Sequence, residues 1–224
     1  MSESGEAVKV LLDRLEAAYG RTDWEPRFDP LDELVSCILS QHTNDKNSFP
    51  AFDRLRAQHP DWQEVVDLGP EHLASVIKSA GLANQKARSI IGCLNAIQAS
   101  TGAYSLDFLA DLPDDEARTW LLRLPGVGEK TAAIVLCFAL GRDVVPVDTH
   151  VFRVAWRLGL IPKSAGESKA HALLDAIVPP GLAYRFHMAL IRHGRAVCKA
   201  PQPNCPACPL TDRCAWFQAR EAAA

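Results

Sequence analysis

Four cysteines near the C-terminal end, Cys198, Cys205, Cys208 and Cys214, are spaced C-x6-C-x2-C-x5-C, with Pro201, Pro203, Pro206 and Pro209 keeping the backbone around them irregular. Thiolates packed this closely ligate either a tetrahedral zinc ion or an iron-sulfur cluster, and donor type alone does not separate the two. The other cysteines, Cys37, Cys93 and Cys137, each stand alone in an apolar run: LVSCIL, IIGCL and IVLCFAL. In that setting they are expected to be small buried hydrophobes.

A different chemistry is offered by LPGVGEKTA, residues 124–132. Glycine takes backbone angles closed to other residues, so a tight turn there aims several N–H groups outward at the start of a helix. Gly126 and Gly128 are therefore expected to serve a phosphate-binding turn. Lys130 falls in the first turn of that helix, where a cation opposes the dipole. Only a neutral amine is a nucleophile, and a position that disfavours the charge primes the lysine to attack a sugar carbon and form a Schiff base. Asp148 lies in VPVDTHVFR, residues 145–153, at the expected N-cap of another helix. Capping alone accounts for an aspartate at such a place. The same carboxylate also suits the stabilisation of an oxocarbenium-like sugar or the holding of an attacking lysine, and the roles are compatible.

The elements that must position these groups are helices. Apolar residues recur at three- and four-residue spacing in VKVLLDRLEAAYG, LDELVSCILS, KARSIIGCLNAIQ, ARTWLLRL, KTAAIVLCFALG, VFRVAWRLGL and SKAHALLDAIV, and no convincing strand pair appears. The class is all-α. Gly20 is expected to end the first helix, Asp29-Pro30 to open the second and Gly141 to close a long apolar one. The extended stretch from Asp143 to Val147 is the best internal boundary. Since one N-terminal helix cannot bury its own apolar face, it is expected to pack with the helices beyond that boundary. This gives a discontinuous domain of residues 1–29 and 145–224 and an inserted one of residues 30–144.

In combination, LPGVGEKTA and VPVDTHVFR resemble the endonuclease III branch of the helix-hairpin-helix glycosylase superfamily, and the resemblance runs from about Leu31 to Arg213. It implies two helical domains with DNA between them, Lys130 as the nucleophile and Asp148 as its partner. The implied activity is that of a bifunctional DNA glycosylase and abasic-site lyase, acting on damaged bases, oxidised pyrimidines first among them. The cysteine spacing, after a helix ending in HGRAVC, resembles the family's four-iron loop. The resemblance thus favours a structural [4Fe-4S] cluster over zinc. ILSQHTND, residues 38–45, is similar to the segment that fills the gap left by a flipped nucleotide. Gln41 and His42 both remain candidates. SAGLANQK, residues 79–86, resembles the wedge loop, with Leu82 as the apolar wedge and Ala83 where an aromatic often stands. The superfamily's adenine glycosylases use a glutamate near positions 37–38, which here are Cys37 and Ile38. A thymine-mismatch glycosylase, or a non-catalytic helix-hairpin-helix module, remains an alternative.

Composition bounds these expectations. A chain of 224 residues with 48% hydrophobic content builds a sizeable core. Its formal net charge of −3 speaks against nucleic acid as a whole-surface partner, but Arg185, Arg192, Arg195, Lys199 and Arg213 face only Asp212 between residues 182 and 213. No apolar run approaches the roughly 20 residues of a bilayer span, so the expectation is a cytoplasmic monomer whose partner is double-stranded DNA containing damaged bases or abasic sites, with no membrane involvement. Thiols stay reduced in that compartment, which argues against disulfides.

Overall fold

The computed structural model describes residues 3–222, and among them there is no β-strand. Two compact units emerge, one made of Met1–Glu25 and Gly141–Ala224, the other of Pro26–Leu140.

The continuous unit is built around α2, Pro30–Ser40, which opens as the sequence predicts: Asp29 accepts from the amides of Leu31 and Asp32, and Pro30 takes the first turn. Nine of its residues are buried, among them Leu34, Val35, Ile38 and Leu39, all at 0% exposure. A helix apolar on nearly every side belongs in the middle of its unit. Each such side chain contributes about 1.5–3 kcal/mol by leaving water. Glu33 is buried with them, pushed up by burial and paired with Arg27, whose guanidinium also lies over the rings of Phe28 and Phe49. Around α2 pack α3, Asp45–Gln58, α6, Ala83–Thr101, and α8, Glu129–Ile134, with α4, Trp62–Asp67, α5, Gly69–Val76, and α7, Asp114–Leu121, completing the unit. The long apolar helix expected after the hairpin is instead α8 followed by a wider π turn, Val135–Ala139. Gly141 does end it, at φ +65°, and a Cβ there would stand 2.9 Å from the Trp24 ring.

In the discontinuous unit, α1, Glu3–Tyr19, buries Val8, Leu11, Leu12 and Leu15, a one-sided stripe that faces α11, Ala183–Ala196, and α10, Gly166–Ile177. Gly20 follows at φ +82°. Arg192 of α11 donates to the carbonyls of Tyr19 and Gly20, and Arg185 pairs with Glu16 at 2.6 Å. Two arginines of the expected basic patch are thus committed to holding α1, which narrows that patch. The unit also contains α9, Thr149–Leu158, and α12, Ala215–Glu221.

Candidate active site and cysteine loop

The hairpin turn between α7 and α8 is fixed from three sides. Leu124 accepts from the Val127 amide at 3.2 Å, closing the turn, and Gly126 takes φ +80°. A Cβ at Gly126 would stand 2.7 Å from Ser89 Oγ, and one at Gly92 would stand 2.9 Å from the Pro125 ring, so α6 presses against the turn where both glycines allow it. Above them, Gln41 donates to Gly126 O at 3.1 Å, and the Cys93 thiol donates to Pro125 O at 3.2 Å. Burial pushes Cys93 up to about 12, which keeps it a thiol and hence a donor. Gly128 departs from expectation. Its φ is −107° and ψ 179°, angles any residue adopts, because one left-handed residue already reverses the chain. A Cβ there would meet nothing within 4 Å, so its missing side chain leaves open space beside the start of α8.

Gly128 is the N-cap of α8 and has no side chain to bond the first amides. Lys130 is the second residue of that helix and is exposed, while Thr131 and Ala132 beside it are buried. Beneath it lies Cys37, fully buried and pushed up by that burial, with the charge of Lys130 acting the other way. Thr131 Oγ1 joins the Cys37 thiol at 3.7 Å and the Gln41 amide at 3.4 Å, so the last turn of α2 is wired to the first turn of α8.

Two further turns belong to the same unit, and both carry backbone strain. His42 has φ +52° and Leu82 φ +48°, and they are the only non-glycine residues at positive φ among those described. A left-handed residue with a Cβ costs roughly 1–2 kcal/mol, and such strain persists where the surroundings over-determine it. Leu82 is 53% exposed, which rules out a leucine packed beneath its own loop, and His42 is exposed as well. Gln41 is half-buried and engaged with the hairpin.

Asp148, in the other unit, is the N-cap of α9: its Oδ1 accepts the Val151 amide at 2.7 Å. The segment leading to it is clamped by side chains. His187 bonds Pro146 O at 2.7 Å, His171 bonds Val145 O at 3.1 Å, and Asp175 accepts the Val145 amide at 2.7 Å. Val144, Val145 and Val147 are buried. Without ladder hydrogen bonds, an extended buried strip needs such partners for its polar groups.

Further along α9, Arg153 donates to Cys198 O at 2.9 Å, and Arg157 to Cys198 Sγ at 3.3 Å and Lys199 O at 3.0 Å. One helix therefore carries the aspartate at its start and anchors the cysteine loop along its length. Cys198, Cys205, Cys208 and Cys214 all line one small cavity, together with Arg157, His193 and Trp216. The described residues contain no group of three or more His, Cys, Asp or Glu that could hold a single metal ion. The four cysteines surround a space instead. Burial pushes the Cys208 and Cys214 thiols up, and the neighbouring cysteines add to that effect. Arg157 is 6% exposed, stacks on Trp216 and leaves its Nε without a partner. His193, pushed down to about 4 by burial, joins Tyr19 on one nitrogen, at 2.9 Å, and Cys208 on the other, at 3.6 Å. The buried Arg157 guanidinium beside the cysteines suits an anionic group held by thiolates.

The residues that the sequence reading did not single out are among those that hold the others: Ser89, Gly92, His171, Asp175 and Arg157. Glycine in the middle of α6 was the one readable signal, since a glycine inside a helix costs stability unless something approaches closely.

Residues 35–180 match the family model described as HhH-GPD superfamily base excision DNA repair protein. Endonuclease III of Rickettsia conorii is 38% identical over 184 residues, covering 82% of this chain and 83% of that protein. Endonuclease III of Escherichia coli K12 is 34% identical over 188 residues, with 84% of each chain covered. A putative DNA glycosylase of Arabidopsis thaliana is 37% identical over 174 residues, 78% of this chain but only 59% of that protein's length. Among solved structures, a trapped endonuclease III-DNA covalent intermediate superposes with TM-score 0.81 at 30% identity, covering 99% of this chain and 100% of the other. A thermostable thymine-DNA glycosylase gives TM-score 0.79 at 22% identity over 97% of this chain and 100% of that one, a likeness of fold.

Proposed function

Because the chain belongs to the HhH-GPD superfamily of base excision DNA repair proteins, we propose that it is a bifunctional DNA glycosylase and abasic-site lyase of the endonuclease III kind, with Lys130 as its nucleophile. The observation that carries this reading is the exposed Lys130 at the opening of α8, beside a turn whose glycine backbone is clamped from α2 and α6. Open space at Gly128 and the uncapped amides after it suit the approach of a DNA phosphate, and a contact of that kind positions the duplex without selecting sequence.

In the reaction, the Lys130 Nζ lone pair forms a bond to C1′ of an extruded deoxynucleotide as the C1′–N glycosidic bond breaks, and the base leaves with a proton. The proton that Nζ loses after attack balances the one the base carries away, and cleavage of the C1′–O4′ bond, with O4′ taking a proton from water, gives a protonated Schiff base. Removal of a C2′ proton then expels the 3′ phosphate oxygen, nicking the strand on the 3′ side. Asp148, held ready by the α9 amide, stabilises positive charge on the sugar as the base departs. Leu82, on a strained and exposed turn, wedges between bases, and Gln41 or His42 fills the vacated stack. Oxidised pyrimidines are the proposed lesions.

Cys198, Cys205, Cys208 and Cys214 would hold a [4Fe-4S] cluster, which would supply a structural tie for the loop that Arg153 and Arg157 join to α9. The proposed function is tested by presenting the protein with duplexes carrying thymine glycol, a T:G mismatch or a single abasic site. Excision and nicking of the first and nicking of the last are expected. Excision confined to T:G makes it a mismatch glycosylase, and binding of the abasic duplex without cleavage makes it a non-catalytic module.

A further inference from the structure

Lys86 is a lysine in an unusual place. It is 2% exposed, and its ammonium donates at 2.7 Å to Leu39 O and at 2.7 Å to Ala80 O. These two carbonyls come from different elements. Leu39 lies in the last turn of α2, where the final carbonyls have no intrahelical partner, and Ala80 ends the short 3-10 turn Lys78–Ala80. A lysine long enough to reach both acts as a shared C-terminal cap, a favourable place for a cation. Burial lowers its pKa, which marks the cost of keeping a charge there.

What the two capped elements lead into is informative. Gln41 and His42 follow α2 within three residues of Leu39, and Gly81 and Leu82 follow Ala80 directly. His42 and Leu82 are the left-handed residues already described, at φ +52° and +48°. Strained turns of this kind relax unless their bases are fixed. From outside, Arg54 of α3 donates to Val76 O at 3.2 Å and to Ser79 Oγ at 2.7 Å, so the second turn is held on both flanks.

We propose that Lys86 is a positioning residue that locks the 41–43 turn and the 81–83 turn into one unit, so that the wedge and the gap-filling residue enter DNA together. Their DNA-probing role rests on the function proposed above, whereas the mechanical coupling does not. Two unconnected turns would each open alone and present Leu82 and His42 at independent depths. A shared ammonium makes the opening of one expose an unsatisfied carbonyl on the other.

The test has two arms. In the unmodified protein, native-state hydrogen exchange is expected to show the amides of 42–44 and 82–84 opening together, with equal dependence on denaturant. Separate opening overturns the proposal. In Lys86→Met, which keeps the unbranched stem and removes the donors, both segments are expected to exchange faster by about tenfold to a hundredfold while the α8 amides are unaffected. The same variant is expected to lose cleavage of an abasic site in duplex DNA by a similar factor. Its cleavage of that site in single-stranded DNA, which needs no extrusion, should stay within about 3-fold of the wild type. Equal losses on both substrates, or none on duplex, overturn the coupling. A wild-type protein that fails to cleave abasic duplex counts against the proposed function, and the exchange data still decide the role of Lys86.

Discussion

Asp148 has one observed duty and one proposed, and one pair of substitutions tells them apart. Its Oδ1 caps α9 through the Val151 amide at 2.7 Å, and the proposed function adds a second duty, in which its charge acts on the sugar. Asparagine caps a helix as well as aspartate, so Asp148→Asn should leave stability within about 0.5 kcal/mol of the wild type. Asp148→Ala removes the acceptor and should cost about 1 kcal/mol, a fall in Tm of roughly 2–4 °C for a chain of this size. The chemical term is larger. A unit charge about 4 Å from a developing cation, at an effective dielectric near 20, is worth about 4 kcal/mol. Losing it slows base release by about three orders of magnitude. Single-turnover excision of thymine glycol should therefore fall about equally in both variants, while only Asp148→Ala melts early. If Asp148→Asn excises within a few-fold of the wild type, the aspartate is a cap and nothing more, and its assignment to the chemistry is wrong.

The hairpin glycines should differ from each other. Gly126→Ala places a Cβ 2.7 Å from Ser89 Oγ at φ +80°, so it should destabilise by roughly 1–2 kcal/mol or more in thermal unfolding; Gly128→Ala, with nothing within 4 Å, should fold normally and weaken DNA binding alone. Cys37, Cys93 and Cys137 should resist a thiol reagent in the native protein at neutral pH and react once it is denatured, since all three are buried and Cys93 is pushed up to about 12; rapid native labelling of Cys93 would contradict that burial. Protein purified without air should be brown, with about four irons per chain, and Cys205→Ser should lose iron and loosen the α9 amides through Arg153 and Arg157. Stoichiometric zinc in native protein would contradict the cluster.

Much of the fold was legible because its signals are local. Asp29-Pro30, Gly20 and Gly141 mark helix ends by capping chemistry that needs no tertiary context, and the stripe of Val8, Leu11, Leu12 and Leu15 follows from helical spacing. The places of Lys130 and Asp148 at the starts of α8 and α9 were legible for the same reason, since each is defined by its offset from a helix start. What escaped depends on partners distant in sequence. Lys86 looks like a surface lysine until two carbonyls, 47 and 6 residues away, surround it. His171 and His187 look like ordinary polar positions on amphipathic helices until the extended strip before Asp148 presents its carbonyls to them. Arg185 and Arg192 read as a DNA-facing patch because charge counting cannot see Glu16 or the end of α1. Gly128 was assigned a strained angle that only Gly126 adopts, since a motif shows that two glycines are present but not which one turns the chain.

The central claim is that one amine at the start of α8 attacks the sugar. Reduction with borohydride during turnover of an abasic-site duplex converts the Schiff base into a stable adduct, and proteolysis followed by mass spectrometry locates it. The adduct is expected on Lys130, and Lys130→Ala should give none while keeping its fold and its affinity for DNA. An adduct on any other lysine, or undiminished trapping by Lys130→Ala, would contradict the assignment.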